Sequence, residues 1–184
     1  MDRNEIKIHF RPLNEADLPK LAEWLSRPHI AEWWGGSDAI MDLESVHEKY
    51  VPRMDESSSV RCYIAELGGQ SIGFIQSYVA EACGGGWWDD ETDPGVRGID
   101  QFLTDGNKLG RGLGTQMVCA FTRFLLADST VTKVQVDPSP ANVRAIRCYM
   151  KSGFVPVREI VTPDGPALLM VAMREESPTT GDAA

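Results

Sequence analysis

The chain has 184 residues, 42% hydrophobic and 24% charged, which suits one globular domain with a substantial core. Lysine plus arginine number 18 against 27 acidic residues, a net charge of −9. Such a chain repels phosphate backbones, so it argues against a nucleic-acid binder and favours cationic small molecules as partners.

The opening residues, Met1-Asp2-Arg3-Asn4-Glu5, lack the apolar core of a signal peptide. No apolar run approaches the ~20 residues needed to span a membrane. Cys62, Cys83, Cys119 and Cys148 stand at neither disulfide-framework nor zinc-ligand spacing. A cytoplasmic protein with reduced thiols, no membrane contact and no metal is therefore expected.

Residues 6–10 alternate apolar and polar, as a strand does. Asn14 with Asp17 predicts a capped helix start, and Leu18, Leu21, Ala22 and Leu25 an apolar helical stripe behind it. Gly35-Gly36 breaks the chain before a second helix, Leu43–Tyr50. Residues 61–67 and 71–80 predict a hairpin around Gly68-Gly69. Gly84-Gly85-Gly86 opens a loop with Trp87, Trp88 and four acids, and Val96–Leu103 reads as a strand interrupted by Gly98. A long amphipathic helix over 112–127, a strand over 131–136 and a helix over 141–152 follow. Two strands, 154–161 and 167–174, bracket the turn Pro163-Asp164-Gly165-Pro166. The order predicts a mixed α/β sheet flanked by helices. It forms a single domain over 1–174, with a disordered tail over 175–184.

Between strand and long helix lies Leu109-Gly110-Arg111-Gly112-Leu113-Gly114-Thr115. Alternating glycines let a backbone approach a ligand closely, and the free N–H groups at a helix start bind anions such as pyrophosphate. Lys108 and Arg111 could add charge to phosphate contacts. The spacing is not that of a P-loop, and no acid closes a dinucleotide-binding βαβ unit. On the glycines alone, a turn without a ligand is equally good.

The segment NVRAIRCYMKSGF at residues 142–154 is far more specific. It resembles the GNAT acetyltransferase pattern N-x-x-A-x-x-x-Y-x-K-x-G-F at every fixed position, and Gly112 and Gly114 match that superfamily's pyrophosphate loop. Leu109 departs from that loop's usual Gln or Arg. The resemblance implies a GNAT fold: a twisted, mostly antiparallel sheet, split to admit acetyl-CoA. Asn142 and Ala145 would border the pantetheine arm. Gln101, Phe102, Leu103, Lys108, Gly110, Arg111, Gly112, Leu113, Gly114 and Thr115 would bind the cofactor. Tyr149 would protonate the departing thiolate, against the plainer reading that it packs on Phe154.

On the acceptor side, Asp100 on the strand before the glycine loop is the leading proton acceptor. By spacing alone, a solvent-facing edge acid or a partner for Arg97 is the plainer reading. The blocks EWWGG (32–36), QSYV (76–79), GWWDDETDPGVRGIDQ (86–101), DPSP (137–140) and TPDGP (162–166) are similar, in order, to one branch of the aminoglycoside 6'-N-acetyltransferases. That resemblance implies Asp100 as base for the 6'-amine, with Trp34, Tyr50, Gln76, Trp88, Asp137 and Asp164 at the acceptor site. Trp33 is expected in the core, and the acids 89–93 serve equally as a solvated loop or as substrate attraction. Relatives carry acids where this chain has Ser57-Ser58-Ser59 and Gly85. A monomer or weak homodimer is expected. The rivals are a GNAT enzyme acylating a siderophore-type hydroxylysine or a protein N-terminus, and a non-catalytic acyl-CoA or cation sensor.

Overall fold

Asn14 starts the helical layer: its side chain accepts the Ala16 N–H at 3.0 Å, and Asp17 reaches back to the Asn14 N–H at 3.1 Å. This is the reciprocal capping expected from the pair. Helix α1 (Leu18–Leu25) then buries Leu18, Leu21, Trp24 and Leu25. The computed structural model describes residues 7–34 and 42–174; Ile6, Gly35-Gly36 and the expected tail lie outside them.

The remaining helices are α2 (Pro28–Ala31), α3 (Leu43–Tyr50), α4 (Leu113–Leu126) and α5 (Val143–Lys151). Only α2, a single turn behind Pro28, was without a periodic signal. The strands are β1 (His9–Pro12), β2 (Val60–Leu67), β3 (Gln70–Val79), β4 (Val96–Leu103), β5 (Lys133–Val136), β6 (Val155–Thr162) and β7 (Gly165–Met173). Strand β1 starts later than its alternation suggested. The last hairpin is tighter than expected, because Thr162 pairs directly with Gly165 and only Pro163-Asp164 form its tip.

Seven strands form one sheet in the order β1-β2-β3-β4-β5-β7-β6, antiparallel at every pair except β4–β5. Alternation sends Phe74 and Phe102 to one face, where they meet α1 and α3 through Leu18, Leu21 and Tyr50. Ile75 and Ile99 go to the other face, against Val118, Phe121 and Tyr149 of α4 and α5. Burying a side chain such as Phe121 stabilises by about 1.5–3 kcal/mol.

The parallel pair is short. Val96, Arg97 and Gly98 face Lys133, Val134 and Gln135, and there the ladder ends. Strand β5 gives way to Asp137-Pro138, where proline disfavours further pairing, while β4 runs on to Leu103. The sheet therefore opens into a V. At Gly98, a Cβ would lie 2.1 Å from the Tyr78 ring, so only glycine lets that ring cross β4 beside the opening.

Candidate active site

The V leads into a cleft of about 960 Å³. One arm is lined by the glycine loop, α4 and α5. Gly110 and Gly112 hold φ of 72° and 87°, and a Cβ on either would meet nothing within 4 Å. Gly112 caps α4 without a side-chain hydrogen bond. The first-turn N–H groups are thus left for an anion, with the helix dipole behind them, and these residues fit a pyrophosphate. The cations lining this arm are Arg144, Arg147 and Lys151, three and four residues apart on α5.

Asn142 Oδ1 accepts the Ala145 N–H at 3.1 Å and so starts α5, leaving its Nδ2 group as the free donor. Tyr149 is 6% exposed, packs edge-on against Phe154 at 5.4 Å, and still lines the cleft. Burial, then the charges of Asp100, Cys148 and Asp137, hold its hydroxyl far above the usual range, so it keeps its proton.

The other arm holds the acids. Asp100 stands on β4 opposite Gln76 on β3, and Gln76 Nε2 donates to Asp100 Oδ2 at 2.8 Å. Loss of hydration pushes the Asp100 carboxyl up; the Gln76 bond and the charges of Arg53 and Lys49 pull it down. Asp137, just past β5, is pushed up to about 7 by burial and then by Asp100. Asp164, from the β6–β7 turn, adds a third carboxylate. Facing them are Lys49 and Arg53, 5.8 Å and 5.3 Å from the Tyr50 ring centroid. Desolvation and Arg53 pull Lys49 down.

The family model described as acetyltransferase (GNAT) domain matches residues 14–162. The chain belongs to the GNAT acetyltransferases. It is 53% identical over 168 residues to the aminoglycoside N(6')-acetyltransferase type 1 of Klebsiella pneumoniae, covering 91% of this chain and 84% of that one. It is 57% identical over 91 residues to a kanamycin resistance protein of Rhizobium radiobacter, covering 50% of this chain and 84% of that one. Among solved structures, AAC(6')-Ib in complex with ribostamycin and coenzyme A matches with a TM-score of 0.88 at 51% identity, covering 97% of this chain and 99% of that one.

In this GNAT domain the expected residues are not all brought together. Trp34, Gln76, Asp100, Gln101, Phe102, Leu103, Gly110, Gly112, Gly114, Thr115, Asp137, Asn142, Ala145, Tyr149 and Asp164 line the cleft; Lys108, Arg111 and Leu113 do not. Leu113 instead packs with Leu103 and Met117, because the first turn of α4 faces the core. Tyr50 is fully buried, and its hydroxyl accepts the Trp34 indole N–H at 3.2 Å; it supports Trp34 rather than lining the site. Val46, four residues earlier and equally buried, was the signal that Tyr50 belongs to the core stripe.

Trp34 lines the cleft as expected, but Trp33 and Trp88 differ from expectation. Trp34 stands edge-on to Phe74 and Phe102, while Trp33 is 38% exposed at the cleft. Trp87, not Trp88, reaches the cleft: Gly84 pairs with Trp87, and Trp88, at φ 58°, turns its indole nitrogen into the protein. Asp100 is no edge acid, since β4 is central and Arg97 donates to the Pro94 carbonyl. The acid run staples its own loop: Asp93 accepts from Gly95 N and Thr132 Oγ1, both at 2.7 Å, and Glu91 pairs with Lys133 at 2.8 Å. All four cysteines are free thiols. No helix among the described residues is long and apolar enough to cross a membrane.

Proposed function

We propose that this chain is an aminoglycoside 6'-N-acetyltransferase that transfers the acetyl group of acetyl-CoA directly to the 6'-amine of its acceptor. The observation that carries the reading is the meeting, at the split of the sheet, of an anion-binding glycine arm and a carboxylate arm, with Asp100 and Tyr149 both lining the cleft. The identity with aminoglycoside N(6')-acetyltransferase type 1 supports it over most of the chain.

When bound, acetyl-CoA supplies an activated acetyl thioester. The glycine arm and the α5 cations hold its phosphates, and the Asn142 Nδ2 group and small Ala145 border its arm. Past Gly98 no strand among the described residues pairs with β4 on the β5 side, so its outward N–H groups would be available to polarise the acetyl carbonyl. An alkylammonium ordinarily loses its proton near ~10 and a carboxylate near ~4. Desolvation narrows that gap from both sides, and the Asp100 carboxyl is already raised. Asp100 takes the amine's proton, Tyr149 holds at Oη the proton passed to the leaving sulfur, and Asp137 and Asp164 bind the acceptor's other ammonium groups. The enzyme acts in the cytoplasm as a monomer or weak homodimer.

The test is thiol release from acetyl-CoA with kanamycin, tobramycin and gentamicin, with a 6'-hydroxyl analogue as control. Release with the amines alone is expected. No release with any of them would refute the acceptor class.

A further inference from the structure

Lys49 and Arg53 are out of place in a cleft read as a polycation site: they line its acidic arm, and neither forms an ion pair among the described residues. The partner of Arg53 explains it. Its Nη1 donates to Gln76 Oε1 at 2.9 Å, and the same amide's Nε2 donates to Asp100 Oδ2 at 2.8 Å. Gln76 sits between Cys62 on β2 and Asp100 on β4 in one lateral row of the sheet. The turn after α3 carries Arg53 over that row, anchored against the Tyr50 ring. Gln76 is 7% exposed, so its orientation depends on its protein partners.

An amide has two ends of opposite character. Turned round, Gln76 would set its NH₂ against a guanidinium that only donates and its oxygen against the carboxylate. The other neighbour of Oε1, the Cys62 thiol at 3.7 Å, is too weak a partner to choose between the two.

We propose that Arg53 is a positioning residue for the proton-accepting carboxylate: it fixes the Gln76 amide so that Nε2 engages Asp100 Oδ2, which leaves Oδ1 for the acceptor amine. The inference rests on the acetyl transfer proposed above, with Asp100 taking the proton. Other charged or titratable groups also surround Asp100. Lys49 on α3 pulls it down, and Asp164 in the β6–β7 turn pushes it up. Cys62 on β2, Tyr78 on β3, Cys83 beyond β3, Asp137 after β5 and Tyr149 on α5 respond to its charge. Of these groups, only Arg53 engages the Gln76 oxygen through a charged donor.

The experiment compares wild type with Arg53→Met, Arg53→Lys and Lys49→Met. Arg53→Met is expected to lower kcat by about 10- to 100-fold through loss of alignment. Its acceptor KM should stay or fall, and the acid limb of its kcat/KM profile should move up by about one pH unit. Arg53→Lys should restore much of both, whereas Lys49→Met, which removes equal charge without touching the amide, should shift the limb less. The ¹³C resonance of the Asp100 carboxyl, titrated in the free protein, should follow the same order and needs no acceptor. An unchanged limb and kcat in Arg53→Met, or identical behaviour of the Arg53→Met and Lys49→Met proteins, overturns the proposal. An inactive wild type would refute the acceptor reading instead, and the carboxyl titration would still decide the role of Arg53.

Discussion

Asp137 gives the sharpest physical test, because its raised value ties stability to pH in one direction. The unfolded carboxyl titrates near 3.8 and the folded one near 7. Below 3.8 it is protonated in both states and contributes nothing. As pH rises from 3.8 to about 7, the unfolded chain releases the proton while the folded one retains it, so stability is lost across that window and stays lost above it. At about 1.4 kcal/mol per pH unit, the full loss approaches about 4 kcal/mol. Asp137 is only half-buried, so solvent screening brings this to about 2 kcal/mol.

Asp137→Asn keeps the shape and removes the charge. At pH 8 the variant should melt about 4–8 °C above wild type, since each kcal/mol moves Tm by about 2–4 °C in a chain of this size. At pH 5 less than half of that gain should remain. Comparing variant with wild type at each pH cancels the contributions of distant groups. Differential scanning calorimetry at the two pH values is the assay. A variant less stable than wild type at pH 8, or equally stabilised at both, would refute the assignment of a strained carboxylate at this position.

Three further outcomes are expected. Asp100→Asn should lower kcat/KM for a 6'-amino acceptor by about 10²–10⁴-fold, with coenzyme A affinity by calorimetry unchanged; turnover near wild type would remove it as base. Tyr149→Phe keeps the edge-on contact with Phe154 and should lose about 10²-fold or more in kcat with cofactor affinity kept, whereas full activity would remove the acid role. Gly73→Ala would place a Cβ 2.6 Å from the Phe102 carbonyl oxygen and 2.7 Å from Met117 Sδ. It should cost about 1–3 kcal/mol, and an unshifted thermal melt would contradict the close approach of β3 to β4 and α4.

The parts of the molecule legible beforehand are those where spacing and structure share a period. The Asn-Ala-Tyr spacing placed α5, the Gly68-Gly69 turn placed β2 and β3, alternation placed β5, and the glycines marked the start of α4. The cations Arg144, Arg147 and Lys151 lie inside the same motif at helical spacing and were readable as one face. What escaped lies in loops. Nothing in Trp33-Trp34 or Trp87-Trp88 tells which ring turns inward, because a loop has no period. The choice is made by partners distant in sequence: Phe74 and Phe102 for Trp34, and the Gly84–Trp87 pairing for the second pair. Arg53 escaped for the same reason, since its partner Gln76 is on another element.

The carboxylate arm poses a problem that the structure meets in two ways. Asp100 and Asp137 cannot both carry charge cheaply in one partly dry cleft, since Asp164 pushes both up and Asp100 pushes up Asp137. Asp137 answers by holding a proton up to about 7. Asp100 answers through the donors of Gln76 and the nearby charges of Arg53 and Lys49. An acceptor carrying several ammonium groups offers a third answer, replacing the proton on Asp137 with its own charge. Its binding near neutral pH must then release that proton, and the released proton is read as a dependence of the binding enthalpy on the buffer's ionisation enthalpy. In Asp137→Asn the dependence should shrink by the fraction of a proton that Asp137 held. A wild-type binding enthalpy independent of buffer would mean that the acceptor's ammonium groups do not sit beside Asp137.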